Sequence, residues 1–313
     1  MKFNPNARLD TSQVQDRRGG ASSGGMSRLP GGRRGLAVGG GGLGLLVVLA
    51  FVLFSMFGGG SDSTGSAGLL AGASGNTAVD NGQLEQECRT GADANTNDDC
   101  AVVAVINSVQ DYWADSFAAS GGTYQDADTA FYTGATRTAC GQGTSGMGPF
   151  YCPADQLVYI DLSFWDELRT TFGTNDAPFT QAYVLAHEYG HHVQNLLGTS
   201  SRVGTATGAT SGSVRLELQA DCYAGVWAKH ATTVPGADGQ ILITEITDAD
   251  LANAVQTAGA IGDDYIQTNI AGQQVDESQF SHGSSAQRQK WLLAGYRSGD
   301  PAACNTFDTN NLG

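Results

Sequence analysis

The chain has 313 residues, with 16 Lys/Arg against 31 Asp/Glu and a formal net charge of −15 at pH 7. The length exceeds one average domain, so a folded unit plus further segments is expected. A surface this acidic repels nucleic acid and anionic lipid, which excludes nucleic acid as an expected partner.

The charge is unevenly distributed. Residues 1–35 carry seven Lys/Arg and two acids, so the residues beyond 57 hold 16 − 7 = 9 basic and 31 − 2 = 29 acidic groups, a net of −20. The first 35 residues are rich in Arg, Gly and Ser and read as a disordered basic segment. Leu36–Phe57 then runs 22 residues without a charge, including Leu-Leu-Val-Val-Leu-Ala-Phe-Val-Leu-Phe from 45 to 54. A helix needs about 20 apolar residues to span a bilayer. The expectation is an uncleaved signal anchor over 36–57: a single-pass cell-membrane protein with residues 1–35 cytoplasmic by the positive-inside rule and the remainder outside. A cleaved signal peptide is the alternative; the long preamble and the length of the apolar run count against it. Residues 58–82 are Gly/Ser/Ala/Asn-rich and read as a flexible tether, leaving 83–313 as one domain.

All six cysteines (Cys88, Cys100, Cys140, Cys152, Cys222 and Cys304) lie beyond the apolar run. An even count outside the cytoplasm suggests disulfides. Closeness in sequence suggests Cys88–Cys100 and Cys140–Cys152, which leaves Cys222–Cys304 as the remainder. Cysteine ligation of zinc is the competing use, but the chain has no C-x-x-C pair. A reducing compartment would leave six free thiols.

Within the domain, Val102, Val105, Ile106, Val109, Trp113 and Phe117 have helical spacing over 101–119. Short β-type pieces follow at 130–133, 135–139 and 157–162, separated by Gly and Pro. A helix over 163–172 leads into a second that opens at Pro178 and stops at Gly198. Later helices are expected at 213–230 (capped by Ser213), 248–262 and 285–297. The pattern is α+β, with a small, mostly antiparallel sheet packed on helices.

The helix from Pro178 carries His187-Glu188-Tyr189-Gly190-His191, an H-E-x-x-H motif. Residues four apart share a helix face, so His187 and His191 can direct two imidazoles at one metal ion. Glu188, about 100° round the helix, can instead take a proton from a water. Gly190 is unfavourable in a helix interior and makes sense where another backbone or the metal site packs close. A catalytic zinc usually takes three protein ligands. The best third candidate is Glu217 in the helix 213–230. Asp221, one turn on, can hydrogen-bond the outer N–H of a ligating histidine. The competing reading makes Glu217 and Asp221 solvated surface acids paired with Arg215 or Lys229. His282 lies in a loop before the helix 285–297 and can donate to an oxyanion or modulate the metal site. A loop histidine without function is equally compatible. His192 projects off the metal-facing side and is expected to be packed or hydrogen-bonded. His230 complements a helix end, and Arg288 pairs with a carboxylate.

The stretches H-E-Y-G-H-H-V-Q (187–194), L-E-L-Q-A-D-C (216–222), G-P-F-Y-C-P-A-D-Q (148–156), D-R-R-G (16–19) and F-S-H-G-S-S-A-Q-R (280–288) resemble the putative neutral zinc metallopeptidases of bacteria. The resemblance implies a zincin-like fold and a membrane-anchored amino terminus. Its downstream E-x-x-x-D pattern implies Glu217 as third ligand. It also implies that strand 157–161 is the edge strand along which an extended peptide pairs. The function expected is zinc-dependent hydrolysis of peptide bonds in a peptide or protein substrate, with one catalytic Zn2+ and Glu188 as the base. The rivals are a membrane-tethered zinc-containing binding or scaffold protein and a cell-wall peptide amidase.

Overall fold

A computed structural model describes residues 1–18, 78–175 and 177–313. The apolar run 36–57 and residues 58–77 of the tether lie outside the described residues. Among the described residues no helix is long and apolar enough to cross a membrane.

Six principal helices form the body: α1 (Asp98–Ala119), α2 (Phe164–Thr170), α3 (Pro178–Leu196), α4 (Gly212–His230), α5 (Asp248–Ala260) and α6 (Ser285–Ser298). Their ends follow local chemistry. The Asn97 side chain accepts from the backbone N–H of Asp99 and Cys100 at the start of α1. Thr247 and Ser284 form capping boxes with Asp250 and Gln287. Pro178 opens α3, and Gly198 follows it with φ +71°. The cap of α4 is Ser211, whose Oγ accepts from Val214 N at 3.3 Å, and not Ser213, which lies inside the helix.

Helix α4 is the centre of the body, packed between α3 and α6. It is buried on nearly every side, so Glu217 and Asp221 sit in the interior instead of on a solvated surface. Close backbone approach requires the glycines at these crossings. A Cβ on Gly190 would lie 3.0 Å from Ala220 Cα. A Cβ on Gly295 would collide with the Cys222 carbonyl, and one on Gly225 with the Leu292 carbonyl.

The main sheet has four strands in the order β2 (Val14–Asp16), β3 (Thr129–Tyr132), β7 (Leu157–Asp161) and β6 (Phe150–Cys152). Two pairings are parallel (Val14 opposite Thr129, Thr129 opposite Val158), and β6 runs antiparallel to β7. The sheet is therefore mixed, not mostly antiparallel. Strand β7 lies between β3 and β6, so 157–161 is an interior strand; the edge beside the site helix is β6. All five residues of β7 are apolar or hydrogen-bonded within the core, as an interior strand requires. A hairpin of β4 (Ala135–Thr138) and β5 (Gly141–Thr144) and a pair of β1 (Lys2–Phe3) with β8 (Ile243–Glu245) complete the strands of the described residues.

Residues 1–18 belong to the fold, against the expectation of a disordered segment over 1–35; residues 19–35 lie outside the described residues. Phe3, Ala7 and Val14 are core residues. The Met1 ammonium lies 2.7 Å from Asp250. Asn95 and Asn107 hold the backbone of Phe3 and Asp10 through paired side-chain hydrogen bonds. Arg18 bridges Asp16 and Asp99 at 2.7 Å each, over the Phe131 ring. The Gly/Arg/Ser background hid three apolar anchors spaced too irregularly to show a helical or strand period.

Three disulfides are present: Cys88–Cys100, Cys140–Cys152 and Cys222–Cys304.

Candidate active site

Helix α3 presents His187, Glu188 and His191 toward α4, which supplies Glu217 from the facing turn. Glu217 Oε2 is 3.2 Å from His187 Nε2, and Glu217 Oε1 is 3.4 Å from His191 Nε2. Three tetrahedral donors about 2.0–2.2 Å from one zinc ion stand roughly 3.3–3.5 Å apart; the two imidazole–carboxylate distances match this, and the whole donor set lies within 4.8 Å. The donor set of two imidazoles and a carboxylate also suits zinc. Among the described residues it is the one group of His, Cys, Asp and Glu side chains gathered closely enough to hold a metal ion.

Each imidazole is oriented by a partner on its other nitrogen. His187 Nδ1 is 2.8 Å from Asp221 Oδ1. His191 Nδ1 is 2.9 Å from Gln194 Oε1, while the Gln194 amide donates to Leu216 O and Gln219 Oε1 on α4. Both contacts leave Nε2 as the inward-facing nitrogen. Asp221 is completely buried and also accepts from Tyr183 Oη at 2.6 Å and from Arg288 Nε at 2.9 Å.

The electrostatics follow from this packing. Burial raises the Asp221 carboxyl, but Arg288 and His187 outweigh it and hold the group down at about 2. Burial lowers His187, yet Asp221 and Glu217 lift it to about 10 in the absence of a bound cation. Glu217 is held well below the usual carboxylate range, because His191, His282 and His187 overcome its burial. Glu217 and Asp221 are thus both held ionised against the histidines they face. Glu188 behaves differently. Its burial raises it, against the opposing pull of His187 and His191 and a hydrogen bond from the Tyr151 backbone. A carboxylate raised toward neutrality is suited to accept a proton and return it.

His282 lines the same cavity, of about 130 Å3, as His187, Glu188, His191 and Glu217. Its Nδ1 lies 3.2 Å from Asp263 Oδ1, and Asp263 Oδ2 accepts from the backbone N–H of Ser281, His282 and Gly283 at 2.7, 2.7 and 2.9 Å. His282 is raised: burial lowers it, but Glu217 and Asp263 outweigh that. His192 is turned away and fully buried, between Tyr151 Oη at 3.0 Å and Gln125 O at 2.6 Å. His230, at the end of α4, stacks on Tyr112 and contacts Gly299 O. Sequence reasoning passed over Gln194, Tyr183 and Asp263. Gln194 had a signal, since it stands three residues after His191 on the same helix. Tyr183 had one too, one turn before His187. Asp263 had none, because its loop partner is 19 residues away.

Converging donors beside a buried carboxylate, that of Glu188, are consistent with metal-assisted hydrolysis, and the class so defined is the zinc-dependent hydrolase. The sequence pattern of the putative neutral zinc metallopeptidase family matches residues 3–307. The chain belongs to that family. It is 41% identical to the uncharacterized protein YpfJ of Escherichia coli K12 over 312 residues, 96% of this chain and 97% of that one. It is 46% identical to the uncharacterized protein Rv2575 of Mycobacterium tuberculosis over 229 residues, 72% of this chain and 76% of that one. The same figures hold for the uncharacterized protein Mb2605 of Mycobacterium bovis. No solved structure matches.

Proposed function

We propose that the protein is a peptidase that hydrolyses peptide bonds in peptide or protein substrates, with His187, His191 and Glu217 holding one zinc ion. The observation that carries the reading is Glu188. It is buried in the same cavity as the three donors, one residue from His187 and outside the donor set. A purely structural zinc site has no use for a proton acceptor there, which weighs against a tethered binding protein.

A zinc ion held by His187, His191 and Glu217 would supply Lewis acidity at the reacting centre. Glu188 accepts a proton from a water as that water attacks the scissile carbonyl, and later delivers it to the departing amine. Asp221, backed by Arg288 and Tyr183, fixes the His187 ring; Gln194 fixes that of His191. His282, held through Nδ1 by Asp263, offers its other ring nitrogen as a donor to the developing oxyanion.

The apolar run 36–57 supports attachment to a membrane, and three disulfides support an oxidising, extracytoplasmic compartment for the domain. The test is cleavage of a mixed peptide pool by the full-length protein and its Glu188→Gln variant, with zinc measured on both. Equal cleavage by the two would overturn the assignment of Glu188.

A further inference from the structure

We infer that the enzyme cuts internal peptide bonds next to a bulky apolar residue, and that the recess beside the metal site receives that side chain. This rests on the peptidase reading above. The cavity runs from His187 and Glu188 along α3 to Val184, one turn earlier. Away from the histidines it is walled by Phe164, Phe172, Ile261 and Ile266. The whole cavity, site included, measures about 130 Å3, against ~150 Å3 for an apolar cavity that holds a benzene ring, so its apolar part has room for a single side chain. That space suits one Phe, Leu or Met side chain.

Recognition of a chain terminus needs an uncommitted charge near the scissile bond: a cation for a carboxylate, an acid for an ammonium. Among the described residues the cavity has none. Arg288 gives Nε and one terminal nitrogen to Asp221 and the other terminal nitrogen to the Ile261 carbonyl. Glu217 faces the two site histidines, Glu188 is the proton acceptor, and His282 is paired with Asp263 and turned to the reacting carbonyl. A terminal charge would enter an apolar recess unpaired, which is strongly unfavourable.

The test uses the full-length protein and peptide libraries varied on both sides of the scissile bond, with termini free or blocked. Phe, Leu and Met should exceed Asp, Lys and Gly about 10- to 100-fold at one flanking position, as burial of one large apolar side chain implies. Blocked and free peptides should be cut alike. Phe164→Arg should move the preference toward acidic residues, and Phe164→Ala toward larger aromatics. Calorimetry on the Glu188→Gln variant should show the same order of affinity without turnover. Glu188-dependent cleavage with no apolar preference, or with a need for a free terminus, overturns this inference alone. Absence of cleavage by zinc-loaded protein, with no peptide bound by the Glu188→Gln variant, overturns the peptidase reading and this with it.

A separate observation carries a second inference: residues 1–18 and the domain occupy the same side of any membrane. Strand β2 is hydrogen-bonded into the main sheet beside β3, and Phe3, Ala7 and Val14 fill the core. One crossing by the 36–57 run would put the two on opposite sides. Its 22 residues supply apolar length for one helical crossing and not two. We propose that the amino terminus stays on the side of the domain into whose sheet and core it is built.

Every native cysteine is disulfide-bonded, so a cysteine placed at exposed Asn6 or exposed Gln273 is the sole free thiol of its variant. A membrane-impermeant maleimide on intact cells should label both variants to the same extent. Labelling of position 273 in intact cells with position 6 labelled only after permeabilisation overturns the inference.

Discussion

Arg288 on α6 and Asp221 on α4 form a buried two-point pair, Nε to Oδ2 at 2.9 Å and a terminal nitrogen to Oδ1 at 3.0 Å. The same Oδ1 lies 2.8 Å from His187 Nδ1, so the guanidinium reaches the metal site through one carboxylate. Removing one member of a buried pair leaves the other charge uncompensated, a loss of about 3–5 kcal/mol. Arg288→Ala should therefore lower the denaturation midpoint sharply. A midpoint within experimental error of the wild type would mean that the pair is solvated.

The two carboxylates of α4 should separate in zinc titrations. Glu217→Ala, His187→Ala and His191→Ala should each lose stoichiometric zinc, since two remaining donors do not define a site. Asp221→Asn should retain zinc with affinity weakened about 10–100-fold, the usual effect of altering a group that orients a ligand. The reverse order for Glu217 and Asp221 would exchange their roles.

Glu188→Gln preserves size and one hydrogen-bonding oxygen but removes the base. It should keep full zinc content and an unchanged melting temperature while kcat/KM falls by at least about 10²-fold. Loss of zinc in this variant would show that Glu188 is a ligand.

Asp111, on α1, gives a pH-dependent prediction remote from the site. Burial and repulsion from Asp115, Asp126, Asp238 and Asp10 push it up to about 7. Its folded-state value thus lies above the unfolded one of about 3.9. The stability associated with its proton is fully present below about pH 4 and is lost as pH rises through 7. Asp111→Asn should match the wild type near pH 4 and exceed it by about 1–2 kcal/mol at pH 8, allowing for solvent screening. Parallel melting curves for the two proteins across that range would count against it.

The disulfide Cys222–Cys304 closes a separation of 82 residues, against 12 for each of the other two. In the chain-entropy account longer loops gain more, about 4–5 kcal/mol near this length. The Cys222→Ala/Cys304→Ala double variant should lose more stability than the Cys140→Ala/Cys152→Ala pair. Denaturation under non-reducing conditions compares them directly.

The metal-site helices were legible because their information is local. H-E-x-x-H and the Glu217/Asp221 spacing each lie within two helical turns, and Pro178 and Gly198 bound the site helix on the spot, whereas the cap of α4 is Ser211 and not the expected Ser213. Gly190 was legible for the same reason: a helix-breaking residue in an otherwise good helix points to a close neighbour, here Ala220. The sheet was less legible. Strand order depends on pairings such as Val14 with Thr129, which no local pattern encodes. Strand β2 is three residues long, too short to display alternation. The His282–Asp263 contact and the meeting of Arg288 with Asp221 likewise belong to tertiary structure, although each arginine and acid was visible as a charge in need of a partner.

The touching backbones of α4 and α6 bear on the order in which the molecule can be assembled during synthesis. Gly225 and Gly295 set the helices so close that Arg288 has no room to find Asp221 except in the finished crossing. Until α6 is in place, Asp221 lacks both the guanidinium that pairs with it and the helix that covers it, so its hold on the His187 ring is incomplete. Before Cys304 follows, α4 is not tied to the chain end. Completion of the candidate centre thus waits on residues near the end of the chain: Arg288 for its support and Cys304 for the tie to α4.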